Sequence, residues 1–185
     1  MGDSQKLKRK YTRPLKLWHK ERITEENELA KEYGLKNKKE IWKANSFLKK
    51  YSREAKRLVA YKTAQAQKEK DQLLRKLKSL GLIPTEGDLN SVLSLKLKDI
   101  LGRRLQTLVY KRNLANSVKQ ARQFIVHRHI TVAGKSINTP SYLVRKAEEA
   151  QIAYRQVSPM AKADHPAVLS KKGDKPKKGA ESGKK

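Results

Sequence analysis

Ser117-Val118-Lys119-Gln120-Ala121-Arg122-Gln123-Phe124-Ile125, followed after four residues by Ile130-Thr131-Val132-Ala133-Gly134-Lys135-Ser136-Ile137, decides how this chain folds. Ser117 and Gln120 stand at capping-box spacing, so a helix is expected to start at Ser117. Val118, Ala121 and Ile125 give that helix its apolar face. Ile130, Val132 and Ile137 then alternate around Ala133-Gly134-Lys135, the pattern of a short hairpin. Upstream, Leu101, Leu105, Leu108 and Val109 fall on one helical stripe that stops near Asn113. Downstream, Thr139-Pro140-Ser141 marks a turn, with strands expected at 143–144 and 152–154. The unit is of ααβ type: two helices on a small, mostly antiparallel sheet.

This unit occupies a window, residues 100–147, that holds ten Lys or Arg and no Asp or Glu. A folded unit stripped of negative charge suits a polyanion-binding surface. The whole chain of 185 residues agrees, with 45 Lys+Arg against 18 Asp+Glu and a net charge of +27. Its pI near 10.3 is the electrostatic footprint of a nucleic-acid binder. There is no cysteine, which excludes disulfides, thiolate zinc sites and thiol redox chemistry. No apolar run approaches the ~18 residues of a membrane span.

Outward from the decisive unit, the rest reads as helices and tails. Residues 1–22 form a basic arm with Tyr11, Pro14 and Trp18 interleaved; Trp18 either stacks on bases or anchors the arm on the fold. A short helix is expected through the acids of residues 21–32, with Thr24 as N-cap and Gly34 as the stop. A long helix over 37–59 opens on Asn37 and Glu40 at capping-box spacing. Ile41, Ala44, Leu48, Tyr51, Ala55 and Leu58 make its apolar seam. Another helix runs over 62–80, ended by Gly81 and Pro84. Short helical pieces follow over 85–99, with Leu89, Leu93, Leu95 and Leu97 expected in the core. The Lys-rich tail has a composition that cannot bury a core.

Enzymatic chemistry is missing. Gly134-Lys135-Ser136 resembles the end of a phosphate-binding loop, but His129 stands where the pattern needs glycine and Pro140 interrupts any following helix. His127 and His129 find no Cys, Asp or Glu within the unit to complete a metal site.

Arg103-Arg104-Leu105-Gln106, Ala115-Asn116-Ser117 with the helix that follows, Ile130 to Lys135, and Pro140-Ser141-Tyr142-Leu143-Val144 together resemble the RNA-binding module named after small-subunit ribosomal protein S-four. Tyrosyl-tRNA synthetases, pseudouridine synthases and a heat-shock ribosome-binding protein carry similar modules. Tyr33-Gly34-Leu35-Lys36-Asn37-Lys38-Lys39-Glu40-Ile41-Trp42 narrows the choice, because it resembles the N-terminal signature of the archaeal and eukaryotic branch of the ribosomal family itself. The likeness runs over residues 5–160, and the short Lys-rich tail favours the archaeal type. Many bacterial members have a Cys-rich zinc-binding N-terminus, which this chain without Cys cannot form. Many modules also place Gly-Asp before the last strand; Lys146-Ala147-Glu148-Glu149-Ala150 departs from that turn.

The resemblance implies an α+β protein in four parts. These are a basic arm (1–22), a helical RNA-binding subdomain (23–101), the ααβ module (102–158) and a Lys-rich tail (159–185). It implies a structural constituent of the small ribosomal subunit, in the cytoplasm, that binds small-subunit ribosomal RNA directly and nucleates early assembly. Neighbouring small-subunit proteins, and messenger RNA where it enters the subunit, are the further partners. It implies no enzyme activity, no cofactor, no metal, no membrane and no small-molecule substrate. Within the module the expected RNA contacts are Arg103 and Arg104 at the first helix start, Lys111 and Arg112 at its end, and Ser117, Lys119, Gln120 and Arg122 on the second helix. Arg128, His129 and Lys135 are expected at the hairpin. Arg122 lies close to the apolar face and either meets RNA or bridges the helix to the sheet. From the helical half come Lys36, Asn37, Lys38, Lys39, Lys43, Arg53 and Arg57, and from the arm Lys8, Arg9, Lys10 and Arg13. A free-standing RNA chaperone or RNA-modification accessory protein and a DNA-compacting basic protein are the alternatives.

Overall fold

The computed structural model describes residue 9, residues 11–61 and residues 63–161. Helix α1 (Lys20–Glu32) starts earlier than expected. His19 is its N-cap, with Nδ1 accepting the Arg22 N–H at 3.4 Å. Thr24 instead sits inside the helix and donates its hydroxyl to the Lys20 carbonyl at 3.1 Å, the back-bond an interior threonine makes. The stop falls where expected, at Gly34 with φ +57°. There the Leu35 N–H returns to the Ala30 carbonyl at 2.9 Å, closing the helix end with a left-handed residue. A Cβ at Gly34 would stand 3.1 Å from both Gln106 Nε2 and Val118 Cγ1, so two independent demands select glycine.

Helix α2 (Lys38–Ala60) is the hub, packed against α1, α3 (Ala64–Ser79), α4 (Leu89–Leu93) and α5 (Leu97–Gly102). Its predicted seam is real: Ile41, Tyr51, Ala55 and Leu58 are buried, and Ala44 and Leu48 are half-buried. Tyr51, Ala55 and Leu58 join Leu73, Leu77, Ile83, Leu89 and Val92 in a first apolar core. Leu93 is exposed rather than buried, because Val92 takes the inward place on the short α4. Asn37 holds the N-cap position of α2, but its side chain makes no capping bond.

The stripe from Leu101 to Val109 is buried but does not form one helix. The chain breaks between α5 and α6 (Leu105–Lys111), and Arg104 there adopts extended backbone. The Val144 N–H donates to the Arg103 carbonyl at 3.1 Å and the Leu105 N–H to the Tyr142 carbonyl at 2.8 Å. Backbone groups spent on that crossing cannot continue a helix. For the same reason residues 143–144 form a single bridge to Arg104 rather than a strand.

Helix α7 (Val118–Val126) starts at the expected box. Ser117 Oγ accepts the Gln120 N–H at 3.2 Å, and Gln120 Oε1 reaches back to the Asn116 N–H at 2.7 Å. The sheet is antiparallel in the order β2 (Lys135–Ser136), β1 (Ile130–Val132), β3 (Ile152–Tyr154). Ala133 and Gly134 both have positive φ, +49° and +75°, the two-residue turn whose twist matches a hairpin. The departing segment after Arg145 forms a one-turn helix, α8 (Lys146–Glu149), with Glu148 accepting the Arg145 N–H at 3.2 Å. Leu105, Leu108, Val109, Phe124, Ile125, Ile130, Val132, Val144 and Ile152 form a second core. Each of its larger aliphatic side chains contributes about 1.5–3 kcal/mol by burial. Met160 packs on this core, so the module's packing runs slightly past the expected boundary at 158.

Candidate nucleic-acid interface

Three of the arginines expected on RNA are spent inside the protein. Arg104 is 4% exposed and donates to Glu40 Oε2. Arg122 donates to Glu40 Oε1 at 2.9 Å and to Gln106 Oε1 at 3.4 Å. Gln106, also buried, donates from Nε2 to the carbonyls of Gly34 and Val118, each at 3.0 Å. Glu40 thus crosses from α2 to the N-terminus of α6 and to α7, tying the two cores together. Burial pushes the Glu40 carboxyl upward, but the bonds from Arg122 and Arg104 and their charges outweigh it and hold its pKa below the ordinary value. Arg103 is not at a helix start but at the C-terminal cap of α5, where a cation is favoured. It donates to Glu149 at 2.6 Å and to the Val144 carbonyl at 3.0 Å. A guanidinium buried as deeply as Arg104 needs its carboxylate; Arg103 and Arg122 are partly exposed, and all three are engaged in ion pairs within the fold.

Other expected ligands are engaged more lightly. Arg112 donates to the Ala150 carbonyl at 3.2 Å, Lys38 stands 3.7 Å from buried Glu26, and Arg57 pairs with Glu69 at 2.7 Å. Ser117 and Gln120 cap α7, as described above. His129 Nδ1 lies 2.8 Å from Ser158 Oγ, and the rings of His127 and His129 stack at 6.2 Å.

Lys111, Lys119, Arg128 and Lys135 are exposed and carry no ion pair among the described residues. Arg128 and Lys135 stand at the hairpin end, Lys119 lies in the first turn of α7 next to Val118, and Lys111 lines a cleft with Asp99, Arg103 and Glu149. Arg128 follows the cap of α7 with φ +60°, a conformation that costs a non-glycine residue about 1–2 kcal/mol. It lines an open cleft of about 490 Å³ with Thr131, Gly134, Ser136, Asn138 and Arg155. Arg155 was missed from the sequence; an arginine next after the last strand, beside the hairpin, was the available signal. In the helical half Lys36, Lys39, Lys43 and Arg53 are exposed, as are Arg9 and Arg13 in the arm. Arg53 shares a cleft with Thr12, Ser46, Lys49, Lys50 and Glu54, the last paired with Lys50 at 3.8 Å. Lys8, Lys10 and the Lys-rich tail from 162 lie outside the described residues.

The two acids that end the acid-free window turn inward. Glu149 holds Arg103, and Glu148 accepts from the Tyr142 hydroxyl at 2.9 Å. The Tyr142 pKa is raised by burial and by that carboxylate. Among the described residues no three His, Asp or Glu gather as a metal site, and no helix is long and apolar enough to cross a membrane.

Residues 103–150 match the family model of the S4 domain. The chain is 51% identical over 167 residues to the small ribosomal subunit protein uS4 of Methanococcus aeolicus, covering 90% of this chain and 94% of that one. It is 50% identical to its counterpart in Methanococcus maripaludis, with the same coverage. With the protein of that name from Methanothermobacter thermautotrophicus it shares 45% over 162 residues, 88% and 95% of the two chains.

Proposed function

The chain belongs to the small ribosomal subunit protein uS4 family, and from that premise we propose that it binds small-subunit ribosomal RNA directly through the exposed cations of α7 and the hairpin of its module. The protein is a structural component of the small ribosomal subunit on the cytoplasmic ribosome, not an enzyme. One observation carries the RNA contact. Lys119, Arg128, Lys135 and Arg155 stand exposed, with no ion pair among the described residues, on a unit whose own two acids, Glu148 and Glu149, are turned onto its own side chains. The second set of contacts comes from Lys36 just before α2 and Lys39, Lys43 and Arg53 along it, and Arg9 and Arg13 extend it into the arm. Two cationic surfaces joined rigidly through Glu40 suit two RNA helices that repel each other. Holding such helices together is a role in nucleating early assembly. Phosphate contacts supply most of the affinity and read shape rather than base sequence. Neighbouring small-subunit proteins complete the surroundings, and messenger RNA where it enters the subunit is the remaining proposed partner. The four-part division at 22/23, 101/102 and 158/159 is part of the proposal, supported by the two separate cores.

The test is the salt dependence of binding to a small-subunit RNA fragment. Replacing Lys119, Arg128 and Lys135 together by Ala should lower the slope of log affinity against log salt by about three, one per lost phosphate contact. An unchanged slope would move the interface elsewhere on the molecule.

A further inference from the structure

The arm's Trp18 does not anchor it. Trp18 is 93% exposed, with Leu15 and Leu17 standing out beside it. Anchoring falls to Tyr11, whose ring lies 6.1 Å from that of Trp42, and to Thr12, whose N–H donates to Ser46 Oγ at 2.9 Å. The loop that carries Trp18 is nonetheless built. Arg22 Nη2 donates to the carbonyls of both Lys16 and Leu17 at 2.9 Å. Arg22 Nη1 is held by Glu26 at 2.6 Å, and buried Glu26 also accepts from Trp42 Nε1 at 3.0 Å. An indole is thus kept in water by a fixed hydrogen-bonded frame rooted on α1 and α2. Arg13, Lys16, His19 and Lys20 around it are all exposed, and Glu21 is the one acid from residue 4 to residue 24. Flanking cations are awkward against an apolar protein pocket. They match an unpaired nucleobase, which brings its own phosphates to either side of the ring it stacks on.

We propose that residues 13–20 form a base-stacking site, in which Trp18 stacks on an unpaired base of single-stranded RNA and Arg13, Lys16 and Lys20 meet the adjoining phosphates. The site rests on the RNA-binding role argued above and adds a single-strand contact to a module that reads helical shape.

The full chain is titrated with unstructured oligo(U) and, separately, with an RNA duplex of equal length. The chain has two tryptophans, so the emission of the unmodified chain less that of Trp18→Ala, which keeps Trp42 and its bond to Glu26, reports Trp18, and oligo(U) should quench that difference where duplex does not. Trp18→Ala should weaken oligo(U) binding by about tenfold and leave duplex binding unchanged, while Trp18→Tyr, which keeps a stacking ring, should retain most of the affinity. Equal loss on both RNAs, or no loss on either, overturns the proposal. Normal RNA binding by Trp18→Ala with poor incorporation into small subunits also overturns it, by making the loop a protein contact. If the unmodified chain binds neither RNA, the RNA-binding role itself fails, an outcome distinct from failure of the stacking site alone.

Discussion

Arginine does opposite work at the two ends of the module. At the seam with α2, Arg104 and Arg122 converge on Glu40, and Arg103 is closed off by Glu149. At the hairpin end, Arg128 and Arg155 face a polar cleft with no carboxylate among its described lining residues. Both groups border or lie within the same stretch of sequence, and charge counting treats them alike. What separates them is acid supplied from outside the window, by residues 40 and 149. A local excess of positive charge therefore does not mark a binding surface until the distant acids have been placed.

The sharpest way to break this contrast is at Glu40. Glu40→Gln keeps the shape but leaves two arginines without a charge partner, one of them buried. We expect a loss of about 3 kcal/mol, the scale of a buried pair broken on one side, read from the midpoint of denaturant unfolding. Lys135→Ala at the hairpin end should stay within about 0.5 kcal/mol. The pH dependence sharpens the assignment. Because the folded Glu40 pKa is lowered, its contribution is complete above the ordinary carboxylate range and is lost as pH falls through the folded value. The stability gap between the unmodified chain and Glu40→Gln should accordingly narrow on acidification, and a constant gap would exclude ionised Glu40 as its source.

Next in size comes a crossed comparison of RNA affinity. Alanine at Lys119, Arg128 and Lys135 should cost about tenfold or more in RNA affinity near physiological salt while leaving the unfolding midpoint almost unmoved. Alanine at Arg103 and Arg104 should do the reverse: a clear loss of stability, with affinity per folded molecule close to unchanged. If the seam pair lost affinity and kept its stability, the division between the two ends would collapse.

A smaller effect is expected at Gly34, where the N-terminal half touches the module. Gly34→Ala meets a left-handed backbone and contacts at 3.1 Å with Gln106 and Val118. It should cost about 1–2 kcal/mol, measured by thermal unfolding, and a neutral result would mean that the loop retreats from the seam without penalty.

Local chemistry was legible where neighbours in sequence settle it. Ser117 caps α7 and Gln120 reaches back to the Asn116 N–H, Gly34 and Asn113 stop their helices with positive φ, and Ala133-Gly134 turns the hairpin. The readings that failed depended on residues far apart. The unbroken stripe from 101 to 109 was a fair pattern, but residues 142–144 cross it and open the chain at Arg104. Glu40 had capping-box spacing from Asn37, yet a partner 64 residues away in Arg104 takes its carboxylate. Of the candidate contacts, sequence located the cationic hairpin but could not sort its arginines from those of the seam. Sorting them needs the position of Glu40 and Glu149 in space. Trp18 shows the same limit, since stacking and anchoring have identical sequence signatures and differ only in exposure.

The smallest effect is the most diagnostic of why the hairpin end is built as it is. Arg128 occupies the residue after the cap of α7, where its N–H bonds the Ile125 carbonyl at 3.0 Å and the His129 N–H bonds that of Phe124 at 2.9 Å. This is a helix end at which glycine is the favoured residue, and Arg128 holds φ +60° there. Its side chain is exposed and carries no ion pair among the described residues, so nothing within the described fold offsets that strain. Arg128→Gly should therefore stabilise the protein by about 0.5–1 kcal/mol, the relief of left-handed strain less the added chain entropy of glycine. The same substitution should weaken RNA binding and lower its salt slope by about one. Gained stability with lost affinity means that the position is held for its charge. A stability loss would instead give Arg128 a structural partner and move it, with Arg103 and Arg104, to the seam side of the comparison.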